Sequence, residues 1–454
     1  HDYSDKKIAI IGSGPSGLTC AYDLALDGYD VTVFEKEKKL GGMLSLGIPS
    51  YRLEKDVIEA EIDVIRDMGV KFETGVEVGV DISIDDLRKK GFNAFYIAIG
   101  AQKGRKLGLE GEDVEQVISG VEFLRKINLG EDTGVKGNVV VIGGGNVAID
   151  VARSSARLKD VAEVNMYCLE EMENMPAHNE EIEEALEEEV KINNSWGPTR
   201  IIIEDGKLKG VEFKKCISTF DEDGRFNPKF DESSKEVVPC DYLLLSGGQQ
   251  FDYKTLLKSE GIKLTERNTI KVNDITLQSS KEDIFAGGDV ASGPRLAIDA
   301  IAAGKEAAVS IHRFVQNGQS LLFGRDNHSY KMFDKYNLVD SIDYDGTERQ
   351  RINHVDAKKA KTTFKDLRGV LTEEQIQKET ARCLSCGATK ADEYLCVGCG
   401  ACTLRCKFDA IKLERVYDVK GYEIDKLPKQ VIKNALTRKA KITLNKINPF
   451  TETR

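Results

Sequence analysis

Ile8-Ala-Ile-Ile-Gly12-Ser-Gly14-Pro15-Ser16-Gly17 stands close to the start of the chain. An apolar, β-branched run leads into three glycines spaced GxGxxG, and a helical apolar period follows from Gly17 to Leu26. The expected structure is strand, tight turn and helix. Each glycine has its own task. Gly12 makes the turn, Gly14 lets the backbone approach a pyrophosphate, and Gly17 lets helix and strand pack closely. The helix N-terminus at Pro15 and Ser16 turns positive dipole and N–H groups toward phosphate. A second strand, Val31-Thr-Val-Phe34, ends at Glu35, 18 residues after Gly17, with Lys36 beside it. An acid at that spacing accepts hydrogen bonds from ribose hydroxyls. The stretch therefore reads as a dinucleotide site.

The design recurs at Val139-Val-Val-Ile-Gly143-Gly-Gly145-Asn146-Val147-Ala148, with a helix expected from about Asn146 to Leu158 and a second strand at Val164–Tyr167. Short apolar runs at 201–203, 211–213 and 241–245 predict further strands, and Gly247-Gly248 marks a return to the first domain. Ile97-Ala-Ile-Gly100-Ala101 predicts a buried strand ending in small residues, which admit a ligand or a backbone. Ile284-Phe-Ala-Gly287-Gly288-Asp289 predicts a strand ending in an acid, followed by an apolar-periodic helix over 297–315. The fold class is α/β. Two Rossmann-like dinucleotide-binding domains are expected, the second inserted in the first, with a C-terminal ferredoxin-like iron–sulfur segment. The boundaries read as 1–130 with 250–325 for the first domain and 131–249 for the inserted one. A linker or arm takes 326–380, the iron–sulfur segment 381–420 and a basic tail 421–454.

Bulk properties narrow the function. The 454 residues carry 65 basic and 76 acidic side chains, net −11, which argues against a general nucleic-acid binder. No apolar run reaches membrane-spanning length. The acidic run Glu171–Val190 reads as a solvated helix face. Six of the ten cysteines cluster at one end of a long α/β chain, which indicates metal ligation in a reducing, cytoplasmic setting rather than a disulfide scaffold. The sequence begins at His1 rather than Met, which leaves room for residues upstream.

Four blocks in order, Gly12–Gly17, Gly41-Gly42-Met-Leu-Ser-Leu-Gly-Ile-Pro-Ser-Tyr-Arg52-Leu53, Val141–Asp150 and Phe285–Val290, make residues 5–320 resemble the glutamate synthase small-subunit family. That family includes the FAD subunits of electron-bifurcating transhydrogenases. The resemblance implies FAD on Gly12, Gly14, Gly17, Glu35, Gly42, Arg52 and Asp289; Gly41, Gly100, Gly248 and Gly288 are further candidate cofactor contacts. It implies a nicotinamide dinucleotide on Gly143, Gly145, Asn146 and Ala148, with Val147 and Arg153 nearby. NADP-using members of the family carry two arginines after the tyrosine that ends the inserted domain's second strand. Here Tyr167 is followed by Cys168, Leu169 and Glu170. A 2′-phosphate needs positive, bidentate partners, whereas an acid 22 residues past Ala148 suits a ribose 2′-hydroxyl. NAD(H) is the expectation, with NADP(H) or an empty site as alternatives.

Cys396-Val-Gly-Cys399-Gly-Ala-Cys402-Thr-Leu-Arg-Cys406 is the C-x2-C-x2-C-x3-C run of a bacterial ferredoxin half, with Lys407 in place of the usual proline. Cys383 and Cys386 lie upstream, after a capping box at Thr372–Gln375 that predicts a helix to Ala381. One [4Fe–4S] cluster on Cys396, Cys399 and Cys402, completed by Cys383, Cys386 or Cys406, is the first expectation. A second cluster on the remaining thiolates and a zinc site are the alternatives.

The expected activity is hydride transfer between nicotinamide and FAD, coupled to single-electron transfer through the cluster to ferredoxin or another redox subunit of a hetero-oligomeric complex. No acid–base triad is visible. A disulfide reductase would need a Cys-x-x-Cys near the flavin, which the first two domains lack. A glutamate synthase small subunit carries its clusters N-terminal to the FAD domain. A conduit subunit with a silent nucleotide site stays open.

Overall fold

The computed structural model describes residues 3–257, 260–316, 318–325, 348–352, 356–383, 398–400, 402–403, 413 and 426–447. The chain divides into two compact units, His1–Lys378 and Glu379–Arg454.

The first unit holds two parallel five-stranded sheets. One is built from β1 (Tyr3–Ile11), β2 (Tyr29–Glu35), β3 (Lys71–Thr74), β4 (Phe92–Ile97) and, from far downstream, β15 (Ile284–Ala286), in the order β15-β4-β1-β2-β3. Strands buried on both faces read as continuous apolar runs, as Ile8–Ile11 and Ala94–Ile97 do. The helix Ala297–Val315 lies on Pro15–Leu26, and its small residues have a packing reason. A Cβ on Gly304 would stand 2.4 Å from the Ser16 carbonyl oxygen, and Ala307 and Ala308 are buried in the core.

The second sheet has β6 (Val117–Ser119), β7 (Gly137–Ile142), β8 (Val161–Tyr167), β9 (Lys191–Asn193) and β13 (Tyr242–Leu245), in the order β6-β13-β7-β8-β9. Since β6 pairs with β13, and Phe123 and Leu124 of the next helix enter the second core, the inserted layer begins before residue 131. That run is too short to carry a period. An antiparallel sheet of β10 (Trp196–Glu204), β11 (Lys207–Phe220) and β12 (Phe226–Pro239) packs on the face of this layer opposite the helices. β12 was missed because its apolar residues barely alternate. The return to the first domain is marked by β5 (Lys103–Gly104) pairing with β14 (Gln249–Gln250).

The described part of the expected arm packs on this unit. The Arg157 Nε donates to the Thr363 carbonyl at 3.1 Å, and the Arg368 guanidinium donates to the Arg52 carbonyl at 2.8 Å. The capping box forms as the sequence predicts. The Gln375 N–H donates to Thr372 Oγ1 at 3.3 Å, the Thr372 N–H donates to Gln375 Oε1 at 2.9 Å, and the helix runs Glu373–Ala381.

Candidate flavin and nucleotide site

The first turn is shaped for close approach. Gly12 sits at φ 107°, and a Cβ there would stand 2.5 Å from the Ala98 carbonyl oxygen. A Cβ on Gly17 would stand 2.0 Å from the Gly12 carbonyl oxygen, so both glycines are forced by backbone contact. Gly14 differs: a Cβ would meet nothing within 4 Å. The helix Pro15–Leu26 starts at Gly14 without a side-chain cap, so its N-terminal N–H groups are left to a phosphate. Gly42, at φ 54°, closes on Gly14, where its Cβ would stand 2.8 Å from the Gly14 Cα. Gly41 donates its N–H to the Ser13 carbonyl at 3.1 Å and so ties this loop to the turn. Glu35 is buried and accepts from the Ser13 N–H at 2.9 Å and the Ser13 hydroxyl at 2.6 Å.

Gly12, Gly14, Pro15, Ser16, Glu35, Gly42, Gly100, Gly288 and Asp289 line one cavity of about 210 Å³. A neighbouring cavity of about 520 Å³ shares Gly12, Glu35 and Gly100 and adds Lys36. Burial raises the Asp289 carboxyl, and the Arg295 N–H donates to it at 3.2 Å. Val147 and Asp150 of the second fingerprint helix line the 210 Å³ cavity as well. The open Gly14 position, the uncapped helix and the acid at the end of β2 all suit a bound FAD.

The second turn repeats the geometry. Gly143 sits at φ 141°, with a Cβ position 2.7 Å from the Ser246 carbonyl oxygen. The helix Asn146–Ala156 starts at Gly145 without a side-chain cap, while Asn146 Oδ1 accepts the His178 N–H at 3.0 Å. Glu170 lies over this turn, its Oε2 2.6 Å from where a Gly144 Cβ would stand. Gly248, at φ 124°, accepts the Arg105 N–H at 3.0 Å and serves the return crossing.

Two expected contacts fall elsewhere. The Arg52 guanidinium does not itself line the glycine cavity; it donates to Oδ2 of the cavity-lining Asp150 at 2.7 Å and to Glu181. Two carboxylates outcompete a neutral cradle for a guanidinium. Arg153 is buried and held by both oxygens of Glu188, at 3.0 and 2.8 Å, and by Glu184, so it is spent before any phosphate arrives. Arg157 joins it on Glu188 at 2.8 Å, and both guanidinium groups lie over the Tyr51 ring, at 4.7 and 4.1 Å from its centroid. The acidic run is thus not a solvated face throughout. Glu181, Glu184 and Glu188, at helical spacing, turn inward to Arg52, Arg153 and Arg157. The matching i,i+4 spacing of Arg153 and Arg157 was the available signal. Asp150, also overlooked, lies one turn past Asn146 on the same helix.

Cys20, Cys168, Cys216 and Cys240 are buried free thiols, and burial raises each of them. No redox cysteine pair stands among them. Of the expected cluster ligands, Cys383, Cys399 and Cys402 are exposed, and Cys386, Cys396 and Cys406 lie outside the described residues. Gly398 and Gly400, at φ 65° and 75°, let the loop turn between thiolates, which fits a cluster held by closely spaced sulfurs.

A dinucleotide cradle whose cavity is also lined by the helix of a second fingerprint defines an FAD-dependent NAD(P)H oxidoreductase. Residues 6–304 match the family model for the pyridine nucleotide-disulphide oxidoreductases, and residues 389–412 match a 4Fe-4S binding domain. The chain belongs to the pyridine nucleotide-disulphide oxidoreductase family and carries FAD, a nicotinamide nucleotide and a [4Fe–4S] cluster. It is 36% identical over 391 residues to the NADP(+)-dependent formate dehydrogenase subunit beta of Moorella thermoacetica, covering 84% of this chain and 55% of that one. It is 31% identical over 414 residues to the NADPH-Fe(3+) oxidoreductase subunit beta of Geobacter sulfurreducens, covering 84% and 61%. The chain therefore spans little more than half the length of these two relatives. The glutamate synthase [NADPH] small chain of Escherichia coli is 32% identical over 327 residues, covering 68% and 69%. The fold matches FprA from Mycobacterium tuberculosis at a TM-score of 0.60 with 18% identity, over 68% of this chain and 84% of that one. No helix among the described residues is long and apolar enough to cross a membrane.

Proposed function

We propose that this chain is the NADH-oxidising subunit of a larger redox complex, passing electrons from nicotinamide through FAD and the C-terminal cluster to ferredoxin or a partner subunit. When bound, the cofactors supply the hydride and electron chemistry, and the protein holds, orients and insulates them. One observation carries the reading: Val147 and Asp150 of the second fingerprint line the cavity that Gly12, Gly14 and Gly288 of the first also line. The helix of the second fingerprint thus reaches the cavity of the first cradle, as direct transfer requires. The Gly14–Ser16 helix start would hold the FAD pyrophosphate and Glu35 its ribose. The Gly145–Val147 helix start would hold that of the nicotinamide nucleotide.

NADH is favoured by what replaces the two arginines. Cys168 is buried, and Leu169 packs beside Gly197, so neither position presents a cation. Glu170 adds a negative charge at the turn, and Arg153 is committed to Glu184 and Glu188. The electrons have an exit distinct from a disulfide, because the cysteines of the first 378 residues are buried and raised. The relatives' printed names as subunits support a complex.

Anaerobic stopped-flow bleaching of the flavin tests the preference. NADH should reduce it at least about tenfold faster than NADPH, a difference of about 1.4 kcal/mol. Glu170→Ser should narrow that ratio by raising the rate with NADPH. Faster bleaching of the wild-type protein by NADPH would overturn the NADH assignment.

A further inference from the structure

We propose that Asp150 is a flavin-positioning acid: it shares Arg52 with Glu181, and the pair retains one proton that makes Asp150 a hydrogen-bond donor to FAD. The proposal rests on the FAD assignment of the cavity. Asp150 lines that cavity although it stands in the nucleotide-binding half. Its Oδ2 accepts from Arg52 at 2.7 Å, while its Oδ1 is buried and has no hydrogen-bond partner. Glu181 mirrors it: one oxygen meets Arg52, and Oε2 is buried without a partner. Two buried carboxyl groups, each half satisfied and held by a single guanidinium, leave a negative charge uncompensated. A buried acceptor without a donor is costly, and a proton on one of them removes the charge.

The surrounding groups do not supply the missing cation. Arg153 and Arg157 are engaged with Glu184 and Glu188, so this ion-pair group is balanced within itself and Arg52 alone faces the two carboxyl groups of Asp150 and Glu181. Lys55 donates instead to the Leu44 and Ile48 carbonyl oxygens, and burial lowers its ammonium to about 8. Tyr51 donates to the Asp150 backbone carbonyl at 3.3 Å, not to its carboxyl group. His178 faces Glu181 from the start of the acidic helix. Burial pushes Asp150 up to about 7 against the pull of Arg52, with Glu181 adding to the rise. Burial raises Glu181 as well. A flavin ring presents carbonyl oxygens and ring nitrogens as acceptors. A protonated Asp150 would donate to one of them, and an ionised one would face them with lone pairs.

The sign follows. If bound FAD favours the protonated acid, affinity is highest at low pH and falls as pH rises through the pKa of the free protein. The test is fluorescence titration of apoprotein with FAD from about pH 5.5 to 8.5, across the neutral step. The wild-type dissociation constant should rise by about tenfold or more over that range. Asp150→Asn, which keeps a donor, should bind FAD with the low-pH affinity and show no step. Glu181→Gln should keep the step but move it to lower pH, because Asp150 then has Arg52 to itself. A wild-type curve without a step, an Asn variant that follows the wild-type curve, or an Asn variant that binds no FAD would each overturn the role of Asp150. Failure of the wild-type protein to bind FAD at any pH would count against the flavin assignment instead.

Discussion

Gly14→Ala should give a folded apoprotein that binds FAD about 10–100-fold more weakly, a loss of about 1.4–2.8 kcal/mol. The position is open to a methyl group as far as the protein is concerned: no atom lies within 4 Å of the Cβ site, and the backbone at φ −69° and ψ 177° suits any L-residue. The added methyl group would occupy only the space through which a pyrophosphate reaches the helix N-terminus. Gly12→Ala is the contrasting case. Its Cβ would stand 2.5 Å from the Ala98 carbonyl oxygen on a backbone at φ 107°, so the fold itself should suffer. Thermal unfolding of the apoproteins together with FAD titration separates the two. Gly14→Ala retaining wild-type FAD affinity would remove the first fingerprint from the flavin site.

Glu188→Ala should destabilise the first unit by about 3–5 kcal/mol, since it removes the carboxylate that two buried guanidinium groups share. Glu188 accepts from Nε and one terminal nitrogen of Arg153 and from both terminal nitrogens of Arg157, and all three side chains are buried. Burial alone would raise this carboxyl, but hydrogen bonds from Arg157 and Arg153 outweigh it and hold Glu188 below the usual glutamate range. A depressed carboxyl contributes its stability above the unfolded-state pKa and loses it as pH falls through the folded-state value. The gap in urea midpoint between wild type and Glu188→Ala should therefore be full at neutral pH and shrink in acid. A gap that stays constant down to the acid limit would show that the cost is lost packing rather than lost charge.

Both dinucleotide folds were legible because their glycines answer to local geometry. The requirement at Gly12 or Gly143 is a positive φ and a carbonyl at contact distance, which a short motif records. Cys168 and Leu169 were legible in the same way, as an absence of charge at a defined spacing. Long-range pairing was not. Nothing local to Arg52 says that it meets Glu181, 129 residues away, and nothing local to Glu188 says that it faces inward. A charged helix face looks alike whether water or arginine stands opposite. Strand β6 was missed because three residues cannot show a period, and its place comes only from pairing with β13.

The proposed electron path begins at nicotinamide, crosses the flavin and ends at the C-terminal thiolates. Anaerobic titration of the purified protein with NADH, followed by visible absorption of the flavin and electron paramagnetic resonance of the cluster, tests that path directly. Flavin bleaching should be followed by a reduced-cluster signal, with iron and sulfide at one cluster's complement per chain. A flavin untouched by either nicotinamide nucleotide, or one that bleaches while the cluster stays oxidised even with excess reductant, would contradict it.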